Sequence, residues 1–271
     1  VGRVLQADPA QEYFVYVPRA VGPETRLFVA VHGISRNARE QATLFSRYCD
    51  PFDAILIAPH FPAERYVDYQ RLGRLGRGTR ADVALDAIVE EVGWLTGAST
   101  MQFHLFGYSG GAQFAHRYTM AYPHRVARAV VASAGWYTFP DVRRRFPHGI
   151  APSRKLPNVR FDAEAFLRVP IAVIVGDEDT TSQGVRRSAK LDRQQGETRV
   201  ERAHNWVAAM KAAAAAYRLP PLASFVSITG GHSFAGLMEH GRLGDTVFQA
   251  LFGLPSTRTD GGDNGSKPRR K

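Results

Sequence analysis

The chain has a single cysteine, Cys49. An internal disulfide is excluded, and a cysteine-based metal centre nearly so. Cys49 falls in a helical pattern without the usual signs of an activated thiol, and it reads as buried and inert. Long apolar runs are missing too. No stretch of ~18 uninterrupted apolar residues occurs, so no membrane-spanning helix and no membrane partner are expected. The opening VGRVLQADPA lacks a basic region followed by an apolar stretch. No secretory leader is read there and a cytoplasmic location is expected, with the start at Val1 leaving a removed leader open. Lysine is scarce beside abundant arginine, alanine and glycine, the usage of a GC-rich genome. The 35 basic and 25 acidic side chains leave a formal net charge of +10. These charges are scattered rather than set in a stripe with interleaved aromatics, so nucleic acid is not an expected partner. Steering of an anionic substrate fits the excess better.

What is present fits one soluble α/β domain. A length of 271 residues, 44% of them hydrophobic, is enough to bury a full core. The β-branched and aromatic runs at 12–17 and 27–31 predict strands, with the turn between them at Gly22-Pro23. The continuous apolar run at 54–58 predicts a strand buried on both faces, and 102–106, 127–132, 171–175 and 223–228 predict further strands. Helical spacing covers 38–48, 110–122, 199–218 and 234–251. Another helix is expected from Thr79, with Asp82 completing a capping box, to about Leu95. Residues 60–78 read as a long surface loop, and 136–168 as an irregular segment rich in proline and arginine. Strands alternating with helices imply a mostly parallel central sheet with helices on both faces. One domain over 1–255 is expected, followed by a disordered basic tail over 256–271.

Gly107-Tyr108-Ser109-Gly110-Gly111 matches G-x-S-x-G, directly after an apolar strand and directly before a helical pattern. A serine on such a turn sits in strained backbone, and glycines on either side remove side chains that would collide with neighbouring backbone. The turn lifts the hydroxyl clear of the sheet, at a helix start that favours negative charge. A nucleophilic serine needs a base and an orienting carboxylate, expected in the order Ser, Asp or Glu, His. Among nine histidines, His232 in Gly230-Gly231-His232-Ser233 follows the last strand, at the carboxyl edge where open α/β sheets bind ligands. His104, His116, His204 and His240 fall inside regular elements, His124 follows a helix stop and His148 lies in the irregular segment. For the acid, Asp177, Glu178 and Asp179 follow the strand at 171–175. Asp179 is favoured because it lies further out and can reach the histidine loop, while Asp177 suits a turn or backbone cap. For the oxyanion, the N–H of Gly110 is one expected donor. The other is expected from the loop His32–Asn37, at Ile34 with Ser35 second. His32 is read as holding that loop.

Taken together, VHG at 31–33, GYSGG at 107–111, GDED at 176–179 and GGHS at 230–233 make the chain resemble the α/β-hydrolase superfamily. Within it the chain looks most like bacterial esterases related to polyhydroxybutyrate depolymerases and feruloyl esterases, which share the opening Tyr-x-x-Tyr-Val-Pro, the HG loop and little or no cap. The resemblance implies a cofactor- and metal-independent serine esterase with Ser109, Asp179 and His232 as a triad and the N–H groups of Ile34 and Gly110 as an oxyanion hole. Secreted depolymerases often carry disulfides and Trp-Pro-Gly after the histidine. Here Ser-Phe-Ala-Gly follows His232, which speaks against a secreted, polymer-degrading role.

The gap between the strands at 127–132 and 171–175 is too short for a full helical lid, so an open or loop-walled site is expected. Tyr108, Trp136 and Tyr137 are candidates for the substrate wall, with the 66–77 loop opposite. Arg143, Arg144 and Arg145, with Arg154, Lys155 and Arg160, read first as a solvated face and second as a device favouring acidic acyl chains. The expected substrate is a small-molecule or oligomeric ester. Amide or thioester hydrolysis and acyl transfer would use the same residues, and a non-catalytic binding protein on the same fold is the rival of another class.

Overall fold

A computed structural model describes residues 1–253. The tail expected at 256–271, and with it the exact domain end at 255, lie outside the described residues. The elements run β1 (Gly2–Leu5), β2 (Asp8–Tyr16), β3 (Arg26–Val31), α1 (Ala38–Cys49), β4 (Ala54–Pro59), α2 (Ala81–Thr96), β5 (Phe103–Tyr108) and α3 (Gly110–Ala121). They continue with β6 (Val126–Ala132), α4 (Ala163–Leu167), β7 (Ile171–Gly176), α5 (Ala189–Gln195), α6 (Arg199–Ala216), β8 (Ala223–Ile228), α7 (Phe234–Glu239) and α8 (Leu243–Phe252).

The eight strands form one sheet in the order β1-β2-β4-β3-β5-β6-β7-β8. β2 pairs antiparallel with β1 and with β4, and every pairing from β4 to β8 is parallel. The apolar runs explain the parallel part. All six residues of β4 are buried, as a strand covered on both faces requires. Successive side chains of β3 enter opposite layers. Leu27, Val29 and Val31 join a core with Leu85, Phe114 and Trp206, which lies under α2, α3 and α6. Phe28 and Ala30 join a second core with Phe45, Leu237 and Phe248, under α1, α7 and α8. Strand order reverses at β3, which has β4 on one side and β5 on the other, and the crevice beyond such a switch point is where open sheets bind ligands.

Three local readings are corrected. α2 begins at Ala81, with no side-chain cap, rather than at Thr79. The Asp82 carboxylate is fully buried and takes Arg80 and the Tyr122 hydroxyl instead, because a buried charge is better satisfied by a guanidinium than by a lone N–H. The helix expected over 234–251 is two helices. Gly241 packs against the carbonyl oxygen of Thr229, where a Cβ would stand 2.6 Å away, and Arg242 takes φ 55°, so the chain turns sharply between α7 and α8. β1, α4 and α5, of four, five and seven residues, are too short for periodicity to reveal. Between β6 and β7, the five-residue α4 is the one helix among the described residues, so that segment holds no full helical lid.

The turn from β5 into α3 determines what that edge presents. Ser109 has φ 52° and ψ −108°, a strained pair for a non-glycine residue. Gly107 faces the carbonyl of Gly111, and Gly111 faces the carbonyls of Val31 and His32, each closer than any Cβ could sit. Alanine normally stabilises a helix relative to glycine by roughly 0.5–1 kcal/mol. Gly111→Ala, although helical, is expected to reverse that sign and destabilise the fold by about 2 kcal/mol or more, because backbone must move to admit the methyl group. A urea denaturation curve measures it, and a midpoint at or above that of the parent protein would contradict this account of the turn.

Candidate active site

Four strand ends bring the expected residues together. Ser109 follows β5, and the His32–Asn37 loop follows β3. Asp177, Glu178 and Asp179 follow β7, and His232 follows β8. The last two loops are laced by backbone. The N–H of Asp177 donates to the Ile228 carbonyl at 2.8 Å, and that of Glu178 to the Gly230 carbonyl at 3.0 Å. Asp177 accepts the Gly230 N–H at 3.0 Å, the capping task its early position suits. Glu178 is exposed. Asp179 is the acid that turns inward. It is 2% exposed, and its Oδ2 accepts from His232 Nδ1 at 2.8 Å. A carboxylate can only accept, so Nδ1 carries the hydrogen and Nε2 is left as an acceptor. Nε2 lies 3.1 Å from Ser109 Oγ, within reach of its hydroxyl proton.

Sequence reading missed the second partner of this acid. Arg199, 4% exposed, donates from Nη1 to Asp179 Oδ1 at 3.0 Å. Its placement has a local cause. Thr198 and Glu201 form a capping box that starts α6, which sets Arg199 as the first helical residue, facing the β7 loop. Nothing in the linear pattern marks that arginine from its neighbours.

The loop after β3 is held against the serine. Gly33 lies against Ser109, where a Cβ would stand in ordinary contact, 3.5 Å from the serine Cβ. Ile34 lies beside Gly110, where a Cβ would meet Ile34 Cγ2 at 3.0 Å. Gly110 opens α3, and N–H groups of a first helical turn have no intrahelical acceptor. His32 anchors the loop. Its Nδ1 donates to the Gly33 carbonyl at 2.8 Å, and its Nε2 accepts the Phe61 N–H at 3.0 Å. Burial holds its pKa down at about 3, so it stays neutral. Tyr69 donates to the His32 carbonyl at 3.1 Å.

Tyr108 lies behind the imidazole, its ring stacked on His232 at 5.3 Å, and burial pushes its phenol pKa up. The cleft, about 790 Å³, is lined by Ile34, Ser109, Trp136, Arg186, Arg199 and His232 among others, with Gln70 and Arg71 supplied by the 66–77 loop. Tyr137 departs from the expected wall. It is fully buried, stacks on Trp206 at 5.0 Å and exchanges backbone hydrogen bonds with the Gln195 side chain, so it belongs to the core. Arg143 to Arg145 do not line the cleft either. Arg143 is 88% exposed, and Arg144 pairs with Asp141. The cations at the cleft are Arg71, Arg186 and Arg199. Among the described residues, no group of three or more His, Cys, Asp or Glu side chains is placed to hold a metal ion, and no helix is long and apolar enough to cross a membrane.

No protein-family model matches this chain, and no curated protein matches it in sequence. Solved structures do match in shape. Poly(aspartic acid) hydrolase-1 from Sphingomonas sp. KT-1 is 22% identical over 89% of this chain and 93% of its own, with a TM-score of 0.75. LpqC, a poly(3-hydroxybutyrate) depolymerase from Bordetella parapertussis, is 23% identical over 90% and 85%, with a TM-score of 0.74. An acetyl xylan esterase from Aspergillus awamori is 15% identical over 90% and 94%, with a TM-score of 0.55. These likenesses establish the α/β-hydrolase fold.

Removing one member of a buried ion pair strands the other charge away from water. Arg199→Met is therefore expected to destabilise the protein by about 3 kcal/mol. The double variant Arg199→Met/Asp179→Asn should recover part of that loss. A double variant no more stable than Arg199→Met, measured by urea denaturation, would show that the pair does not carry the effect.

Proposed function

We propose that this protein is a serine hydrolase that cleaves carboxylic esters through an acyl-enzyme. The observation that carries the reading is the hydrogen-bonded chain from Ser109 Oγ through the His232 ring to a buried Asp179. In this reading His232 Nε2 takes the hydroxyl proton as Ser109 Oγ attacks the ester carbonyl. Asp179 keeps the imidazole in the tautomer that can accept, and it stabilises the imidazolium that forms. The oxyanion is taken by the N–H groups of Ile34 and Gly110, a preorganised pair of donors that typically contributes several kcal/mol. His232 then gives its proton to the leaving alkoxide. Water, activated by the same imidazole, cleaves the acyl-enzyme.

Ester hydrolysis is favoured over acyl transfer because Ser109 is only half-buried in the cleft, where water can reach it. The similar structures carry the names of a poly(aspartic acid) hydrolase, a poly(3-hydroxybutyrate) depolymerase and an acetyl xylan esterase. They support a hydrolase on this fold.

Ser109→Ala should leave the thermal midpoint within a few degrees of the parent. It should lower kcat on a short p-nitrophenyl ester by about 10⁴-fold or more, and abolish labelling by a fluorophosphonate. Turnover that survives in this variant would remove Ser109 as nucleophile and, with it, the acyl-enzyme.

A further inference from the structure

The cleft beside Ser109 continues past Trp136. A second cavity of about 310 Å³ adjoins it, and Arg71 and Arg186 line both. Five cations line this compartment, Arg71, Arg74, Arg77, Lys155 and Arg186, against one carboxylate, Asp68. Asp68 is already committed. It accepts from Arg71 Nε at 2.6 Å and from Arg74 Nε at 2.7 Å. Arg77, Lys155 and Arg186 have no ion-pair partner among the described residues. Three of the five cations are thus left without a carboxylate to neutralise them, and Asp68 serves the other two.

The charge beneath it points the same way. Arg117 is fully buried, with no carboxylate in contact and with Nη2 free of any hydrogen bond among the described residues. Its guanidinium lies 4.2 Å from the Trp136 ring, and that of Arg186 lies 5.5 Å from the same ring. Burial first, then repulsion from Arg71, Arg74 and Arg186, pulls the Arg117 pKa well down, with Asp68 opposing. His148, whose ring lies tilted against Trp136 at 5.4 Å, is also held below the ordinary histidine value, by burial and then by Arg186. A group of cations this short of counter-charge favours an anion among them.

We propose that this compartment is a subsite for a carboxylate carried by the substrate, with Arg71 and Arg186 at the passage from the catalytic cleft. The planar guanidinium fork matches a carboxylate in two parallel hydrogen bonds. The substrate class is then an ester whose chain bears a carboxylate some distance from the scissile carbonyl, such as a dicarboxylic half-ester or an oligomer with carboxylate side groups. This deepens the hydrolase reading and rests on it. It also moves the anionic preference away from the Arg143–Arg145 run, and of the basic residues first considered for it only Lys155 lines the compartment.

The test compares p-nitrophenyl half-esters of adipate and suberate with the neutral hexanoate and octanoate esters of equal chain length. The parent protein should show kcat/KM for the half-esters about tenfold or more above the neutral esters. Arg186→Gln, which removes an exposed and unpaired charge, should cut that ratio about tenfold, chiefly through KM, on the scale of one charged hydrogen-bond contact. Arg77→Gln should act in the same direction. Arg143→Gln, the same loss of charge outside the compartment, should leave the ratio unchanged. A parent ratio near one, a ratio unmoved by Arg186→Gln, or an equal fall in Arg143→Gln would each overturn the subsite. Stronger competition by inorganic phosphate than by adipate would overturn its assignment to carboxylate.

Failure of the hydrolase reading shows separately, as no turnover of the neutral esters and no fluorophosphonate labelling. In that event, calorimetric titration with adipate decides the subsite on its own. Binding weakened by Arg186→Gln supports it, and absence of binding to the parent protein overturns it.

Discussion

The site depends on one close approach of backbone to backbone. The first turn of α3 lies on the carboxyl end of β3, with Gly111 against the carbonyl oxygens of Val31 and His32. No side chain fits between them. This contact aims Ser109 out of the sheet in its strained conformation, and it brings the Gly33–Ile34 loop beside the serine in the same stroke. Strain of this kind persists only where the surrounding structure over-determines it. Here parallel pairing of β3 with β5 on one side, and the anchored His32 on the other, supply that constraint.

A second constraint is electrostatic. Asp179 is buried, and a buried carboxylate needs partners for its lone pairs. It has two, the imidazole of His232 on one oxygen and the guanidinium of Arg199 on the other. The arginine holds the carboxylate in place, while the imidazole is held in one tautomer. The β7 and β8 loops that carry these groups are tied by backbone bonds and by the Asp177 cap, so three neighbouring acidic side chains divide into a cap, a solvated charge and an inward acid.

The positive charge of the chain is also divided by the fold. Much of it is spent on exposed pairs such as Arg168–Glu164 and Arg242–Asp245, which solvent screens and which add little. The part that matters near the cleft comes from three separate segments, at Arg71, Arg186 and Arg199, with Arg117 buried beneath. None of these is a charge run in the sequence.

Periodicity and local chemistry made the sheet legible without coordinates. Apolar runs of five residues closed by proline or glycine, such as 54–58 and 171–175, read as strands covered on both sides, and the glycines around Ser109 and His232 suit a sharp turn. The order of the candidate site along the chain, serine then acid then histidine, was readable for the same reason, since each sits in a short motif just past a strand. Whether those strand ends meet was not readable, because distance between loops is a property of sheet order. Partners separated by long stretches of chain, such as Arg199 on Asp179 or Trp206 beneath Tyr137, leave no local pattern. Neither the burial of Tyr137 nor the pairing of Arg199 is therefore written in the local sequence. A side chain's neighbours in sequence determine its backbone, but its charge and stacking partners are assigned only when distant segments pack.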